Sequence, residues 1–495
     1  MSYDYAVIGA GAAGMSAAII LARTGAKVVL LEKAPQLAPL LRGFTRHGVH
    51  FDTGLHCLGG LADGDVLDVF LRYLGMADKV EKIPFRPEGF DRFRCLEPAW
   101  EFDFPYGWDR IADALSAAFP AEEPAVREYL RTIRDHYESL PYINMQAEFD
   151  PMQLLPDALG LTLGGFLDRL TDNPRLKTIL SFHWLLHGVA PDEAPLASHA
   201  RVAASYYGAV HGLRGGGRSL VDAFTTQLKA YGVDVFCGSG AARIDFSAAG
   251  SVSGVRTESG DGLGCHACIA TLHPRHLVDM VPESLFRSAY RTRLKTHEDT
   301  CSAFVLYAAC DGIPEALQGR NLILAPDSRS VCSPDSAFTR DPPIYVAGTA
   351  PDRARQVSPG GFTAICPASP TATSRWADTG TGKRPPDYTA FKEQVTMDIC
   401  RRLDATCPEI MATVTDMELA TPLTIRDYVH TPAGSLYGIK HRMGDHVLAP
   451  QTRARGLFLA GQSIVAPGVF GAMLSSVVTC GTILGHERLR KELQA

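Results

Sequence analysis

The residues best placed by type and spacing to do chemistry stand near the start of the chain. Gly9, Gly11 and Gly14 form a G-x-G-x-x-G pattern directly behind the apolar run Tyr5–Ile8, and Glu32 closes a second apolar run, Val28–Leu31. Each glycine answers a separate steric need. Gly9 permits a tight strand-to-helix turn, Gly11 the approach of a pyrophosphate to the backbone, and Gly14 close packing of helix on strand. Ala10 and Ala13 complete the turn, and Glu32, with Lys33 behind it, supplies an acceptor where ribose hydroxyls need one. The pattern reads as the cradle of an adenine dinucleotide, with a ligand-free βαβ unit as the bland alternative. Strand, glycine turn, helix and acid occur in register, which a chance glycine-rich turn does not provide.

Those residues need elements to hold them. The spacing predicts a strand over Tyr5–Ile8, a helix over Ala12–Thr24 and a second parallel strand over Val28–Leu31. The helix would present its free N-terminal N–H groups and the positive end of its dipole to the pyrophosphate. At the other end of the chain, Leu457–Ala460 reads as a strand, Gly461 and Gln462 as a turn, and Gly468, Val469 and Phe470 as a helix start continuing through Leu474–Leu484. A second helix N-terminus suits a flavin, whose ribityl chain and pyrimidine ring extend away from the first cradle. A nicotinamide enzyme needs only the first. FAD is therefore the expected cofactor.

Helix–strand alternation resumes at Gly215–Phe224 and Tyr231–Phe236. Gly238-Ser-Gly-Ala-Ala-Arg243 imitates a second fingerprint, but a hairpin follows it (Ile244–Phe246, a turn at Ala248–Ser251, Val252–Thr257) rather than a helix. Ala241 and Ala242 are thus expected to pass the adenine with their backbone, and no separate nicotinamide domain is evident.

A chain of 495 residues is too long for one ordinary core. The expected fold is α/β: a Rossmann-type FAD-binding domain built from the discontinuous segments 1–77, 205–275 and 431–495, with an α+β substrate domain (78–204 and 276–430) inserted. In that second domain Trp100–Tyr106, Cys301–Ala308, Asn321–Ala325, Pro343–Thr349 and Phe362–Pro367 read as strands. Glu122–Leu140, Thr162–Leu186 (interrupted before Pro174, with Asp172 or Asn173 as the cap) and Tyr388–Ala405 read as helices. Thr371–Pro386 reads as a long surface loop. The Leu- and Gly-rich stretch Met152–Leu167 reads as core packing ahead of a tunnel wall or a membrane face.

Composition narrows the function classes. A net charge of −6, with no long basic run, gives no footing for nucleic acid. Twelve cysteines in so long a chain are no disulfide framework, and Cys265-His-Ala-Cys268, lacking a matching pair, reads as structural. No metal-spaced His/Glu cluster and no G-x-S-x-G elbow occurs. No apolar run reaches the roughly 18–20 residues that span a bilayer. Met1 stands directly before the first strand, so a signal or transit peptide is not expected, and the expected location is cytoplasmic.

Three stretches carry a resemblance: Phe51-Asp-Thr-Gly-Leu-His-Cys-Leu-Gly59, Ser435-Leu-Tyr-Gly-Ile-Lys-His441, and Leu459-Ala-Gly-Gln-Ser-Ile464 with Gly471-Ala472 behind it. In these the chain resembles the phytoene desaturase, carotenoid isomerase and retinol saturase group of FAD-dependent oxidoreductases, and within it the retinol saturase branch. One departure stands out: Ala38-Pro39 occupies the place where the group usually has a Gly-Gly pair. The resemblance implies that Arg42 neutralises the pyrophosphate and that His56 lies near the flavin edge, where a backbone-bonded core histidine is the alternative.

The resemblance further implies reduction of a carbon–carbon double bond in a lipophilic, conjugated substrate held in an apolar tunnel. Desaturation or cis–trans isomerisation of a carotenoid-like polyene is the runner-up, and amine oxidation on a related flavin fold comes after it. Saturation needs a proton as well as a hydride, and His56, Tyr437 and His441 are the candidate donors. The implied partners are the lipophilic substrate, an external electron donor (NAD(P)H or a reductase) and a peripheral membrane contact.

Overall fold

The strand β1 (Ser2–Ile8) is paired in parallel on both sides, with β2 (Val28–Leu31) on one and Gly262–Ala270 on the other. A computed structural model describes residues 2–154, 160–325, 342–351 and 359–495. β1 is central to a seven-stranded sheet in the order Asp234–Phe236, β2, β1, Gly262–Ala270, Val252–Thr257, Ala241–Phe246, with Leu457–Leu459 pairing in parallel to the end of Gly262–Ala270. Strands buried on both faces read as continuous apolar runs, which is why β2 is Val-Val-Leu-Leu with every residue buried.

The helix α1 (Ala12–Ala22) is buried on all sides. Its sequence has no polar stripe because it lies between the sheet and the helix Gly468–Leu484, where Ser476 Oγ donates to the Ala13 carbonyl at 2.7 Å. The first and last segments of the chain are thus one packing unit. The segment Gly238–Arg243 leads into the hairpin Ala241–Phe246 and Val252–Thr257, with no helix behind the glycines.

A second seven-stranded sheet has the order Val414–Ala420, Ser302–Cys310, Gly360–Ala368, Ile344–Gly348, Asn321–Leu324, Asp91–Cys95, Trp100–Phe104. All its neighbours are antiparallel except Asn321–Leu324 with Asp91–Cys95, which run parallel and set Asn321 opposite Asp91. The helices Trp108–Ala118, Glu123–Glu138, Leu163–Leu170, Pro174–Ser181 and Leu196–Gly208 bury their apolar faces on one end of this sheet. The break before Pro174 is capped by Asn173, whose side chain accepts the N–H groups of Arg175 and Leu176.

Two local readings are refined. The loop before the helix Pro386–Thr406 is not wholly on the surface: Trp376 is buried against Tyr388, Phe391 and Leu423, with its indole N–H on Asp387. Residues 155–159 of the Met152–Leu167 stretch lie outside the described residues; Leu163 and Leu167 are core residues.

Candidate functional site

The turn between β1 and α1 has the steric character that its glycines require. Gly9 has φ +98°, and a Cβ on Gly14 would stand 1.8 Å from the Gly9 carbonyl oxygen, so neither position admits a side chain without displacing the backbone. A Cβ on Gly11 would meet nothing within 4 Å; the space beside it is open. Gly11 is the N-cap of α1 and no side chain caps the helix, which leaves its first N–H groups available to an anion. The Glu32 carboxylate is held across this turn. Its Oε2 accepts the Ala10 N–H at 2.7 Å and its Oε1 the Ala34 N–H at 2.8 Å.

At the far wall, Gly461 has φ +113°, its N–H donates to Ser475 Oγ at 3.0 Å, and the helix Gly468–Leu484 begins at Pro467 without a side-chain cap. Two uncapped helix starts, one from each end of the chain, therefore border the same space. Gly9, Gly11, Ala13, Glu32, Lys33, Arg42, Ala241, Ala242, Gly461, Gln462, Gly468 and Val469 all line one cavity of about 2030 Å³. Ligand pockets are commonly about 300–1,000 Å³, so this one has room for a dinucleotide and a second molecule. On donors, shape and volume the residues fit the cofactor that the pattern implies.

Three expected contacts do not line that cavity. Ala10 is buried behind the turn and contributes through its N–H to Glu32; Gly14 is the packing point on Gly9. Phe470 turns into the hydrophobic core, because one step along a helix rotates the side chain by about 100° from the cavity-facing Val469. Lys33 is paired with Glu258 at 2.8 Å, both half exposed, at the outer rim. Ala38, in the departure from the glycine pair, takes the left-handed conformation itself, with φ +46°. Its N–H donates to the Ala10 carbonyl at 3.0 Å and its carbonyl accepts from Leu41 and Arg42, so the loop is tied to the glycine turn at the cost of local strain.

The inner part of the same cavity is walled by apolar and aromatic side chains, among them Phe90, Phe182, Leu185, Leu186, Tyr206 and Leu436. His56 and Tyr437 both line it. Burial pushes the His56 imidazole down to about 4, so it is neutral at physiological pH. Burial, with a smaller contribution from the Cys301 thiol, pushes the Tyr437 phenol above its ordinary value, so it keeps its proton. His441 is not brought to the same wall. Gly438 takes φ +72° between the two, the Ile439 N–H donates to Ser463 Oγ, and His441 turns into a separate small recess with Ile439, Asp445 and Leu448. Burial, and then the charge of Arg201, brings its imidazole down to about 4.

Sequence reasoning missed a polar group set in the apolar wall. Asp91 and His183 line the cavity, and Asp91 is bonded to His183 Nε2 at 3.2 Å and to Asn321 Nδ2 at 2.8 Å. The pairing of 91 with 321 is visible only once the strands are in register. Cys265 and Cys268 are buried free thiols in the strand Gly262–Ala270, and among the described residues no His, Cys, Asp and Glu cluster could hold a metal. No described helix is long and apolar enough to cross a membrane.

Comparison with known proteins agrees with this geometry. Residues 7–74 match the NAD(P)-binding Rossmann-like domain. The chain is 24% identical to the all-trans-retinol 13,14-reductase of Danio rerio, over 99% of this chain and 87% of that protein. It is 26% identical to the carotenoid 3,4-desaturase of Haloarcula japonica over 66% of each. An oxidoreductase structure from Methanosarcina mazei superposes with a TM-score of 0.66 at 16% identity, over 96% of this chain and 99% of that one, and shares the fold.

Proposed function

We propose that this chain belongs to the phytoene desaturase and retinol saturase group of oxidoreductases, to whose members it is similar over most of its length, and that it binds FAD and saturates a carbon–carbon double bond of a conjugated, lipophilic substrate. The observation that carries this reading is the single cavity that joins the dinucleotide cradle to an apolar chamber. A polyene has no ionisable handle, so fit against an apolar wall must hold it. FAD, when bound, supplies the hydride chemistry.

The chain's own residues supply position and the proton. Glu32 and the uncapped N-termini of α1 and of Gly468–Leu484 would hold the dinucleotide. The aromatic wall excludes water from the reacting carbons. Tyr437 holds a proton on its phenol oxygen within the cavity, while His56, neutral, is the weaker donor. Electrons reach the site from outside, from NAD(P)H or a reductase.

The test is an anaerobic titration of the chemically reduced holoenzyme with a panel of polyenes, followed by flavin absorbance. Stoichiometric reoxidation by a conjugated polyene is the expected result. A cofactor that stays reduced with every polyene contradicts the reading, and bleaching of the oxidised enzyme by a polyene assigns the chain to desaturation instead.

A further inference from the structure

Tyr437, the proposed proton donor, carries a hydroxyl that the protein does not hold. Among the described residues none bonds it. Two other tyrosines of the cavity wall are tied to Cys57: the Tyr206 hydroxyl donates to its carbonyl at 3.5 Å, and the Tyr345 hydroxyl faces its Sγ at 3.7 Å. Free of such a bond, the Tyr437 hydroxyl is open to a substrate in the cavity that the residue lines. Its direction is set by the ring, and the ring by what packs on it. A proton donor needs that control, because a misplacement of about 1 Å can cost about 10²-fold in rate.

Two residues from distant parts of the chain supply it. Thr300, 1% exposed, holds the backbone. Its Oγ1 accepts the Tyr437 N–H at 3.0 Å and donates to the Gly438 carbonyl at 3.2 Å, and its own N–H donates to that carbonyl at 2.9 Å. The Leu436 N–H on the Cys301 carbonyl (3.0 Å) and the Lys440 N–H on the Glu298 carbonyl (2.8 Å) extend these bonds into a short antiparallel ribbon. Gly188 holds the ring. It closes the turn Phe182–Leu186, with its N–H on the Trp184 carbonyl at 2.8 Å and φ +71°. A Cβ there would stand 2.8 Å from Tyr437 Cδ2 and 3.0 Å from Thr300 Cβ. Carbon atoms pack best at about 3.5–4.0 Å, so the ring would have to retreat by about 1 Å. The bare backbone of Gly188 is therefore what lets the ring lie where it does. Phe182, His183, Leu185 and Leu186 of the same turn line the cavity, so one piece of chain builds both the wall and the seat of the donor.

We infer that Gly188 and Thr300 are positioning residues for the proton transfer: they seat the Tyr437 ring so that its phenol hydrogen meets the substrate. This inference rests on the reading of Tyr437 as the donor. The proton leaves the phenol oxygen for the substrate carbon that does not take the hydride, and the phenolate regains one from solvent before the next turnover. Neither Gly188 nor Thr300 lines the cavity, so each acts through Tyr437 and not on the substrate. Their loss should change the rate of the proton-dependent step and leave binding alone.

The experiment is stopped-flow reoxidation of the chemically reduced holoenzyme by an all-trans conjugated polyene, in single variants and in the same variants combined with Tyr437→Phe. Gly188→Ala and Thr300→Val should each slow reoxidation by about 10- to 100-fold. Thr300→Ser, which keeps the hydroxyl, should stay within about threefold of wild type. Cofactor content should be unchanged, and polyene affinity for the oxidised holoenzyme, read by quenching of protein fluorescence, should stay within about threefold in all three. On Tyr437→Phe, adding Gly188→Ala or Thr300→Val should cost no more than about a further threefold, since the group they position is gone. If Gly188→Ala does not fold, the two Thr300 variants and the Thr300→Val double variant decide. Normal rates in Gly188→Ala and Thr300→Val beside a slow Tyr437→Phe overturn the positioning role and leave the donor reading standing. So does a loss that multiplies in full on Tyr437→Phe. A normal rate in Tyr437→Phe overturns the donor reading and the inference with it, as does a wild type that no polyene reoxidises.

Discussion

Glu32 Oε2 accepts the Ala10 N–H at 2.7 Å, so the acid that ends β2 is fastened across the glycine turn that ends β1. The carboxylate has two employments: it closes the turn, and it lines the cavity that the proposed cofactor would occupy. Glu32→Ala should therefore weaken FAD binding by about 10- to 100-fold, from lost charge-assisted bonds of roughly 1.5–3 kcal/mol each at most. It should also lower the stability of the apoprotein, because the Ala10 and Ala34 N–H groups lose their acceptor. Dissociation constants from apoprotein titration and a denaturant melt of the apoprotein check the two parts separately.

The glycines of the turn differ in what they hold apart. Gly11→Val should leave apoprotein stability near that of wild type and abolish FAD retention, because its side chain enters open space. Gly14→Ala should destabilise the fold itself, since its methyl group would meet the Gly9 carbonyl at 1.8 Å. Cofactor content after gel filtration, set beside apoprotein melts, distinguishes them. Equal loss of stability in both variants contradicts the assignment of roles.

Ala38 carries a left-handed backbone at φ +46° in the place where a glycine would be unstrained. That conformation costs a residue with a Cβ about 1–2 kcal/mol. Ala38→Gly relieves it and loses part of the gain to a freer unfolded chain, so stability should be unchanged or higher by up to about 1 kcal/mol. A denaturant melt showing a clear loss would mean that the buried methyl group of Ala38 matters more than the strain.

Much of the cradle was legible because it is local. Strand, turn, helix and acid lie within 32 residues, and each glycine's role follows from sterics over a few bonds. The bounds of β2 agree to the residue, and the hairpin after Gly238 is as expected. The inner chamber was not legible, because its polar group joins residues 92 and 230 positions apart through sheet register and helix packing. Tyr437 and His441, two of the candidate donors, stand four positions apart in the sequence. The positive φ of Gly438 and the Ile439–Ser463 bond send them to different cavities.

That separation has a kinetic consequence. Tyr437→Phe should slow polyene reduction by about 10²–10⁴-fold, the usual range for a lost general acid, with the flavin spectrum and its reduction by an artificial donor unchanged. His441→Gln should stay within about threefold of wild type, since its ring does not line the main cavity. Stopped-flow reoxidation of the reduced variants measures both. A normal rate in Tyr437→Phe would assign the proton to His56 or to solvent.

Asp52 sets a pH dependence of stability. Burial pushes its carboxyl from 3.8 up to about 7, against the opposing Gly217 N–H bond and the Arg218 charge. Between those two values the folded chain keeps a proton that the unfolded chain has released. The contribution is fully present below about pH 4 and is lost as pH rises through about 7. Asp52→Asn lacks this titration. The stability of wild type relative to Asp52→Asn should therefore fall across that window in denaturant melts; a flat difference contradicts the shift.

The most direct measurement of the central claim is mass analysis of the polyene recovered after anaerobic incubation with the chemically reduced holoenzyme. The expected product is heavier by two hydrogens, with the absorbance of the conjugated chain shifted to shorter wavelength. Unchanged polyene across the panel, or a product lighter by two hydrogens formed only with oxidised enzyme, would contradict it.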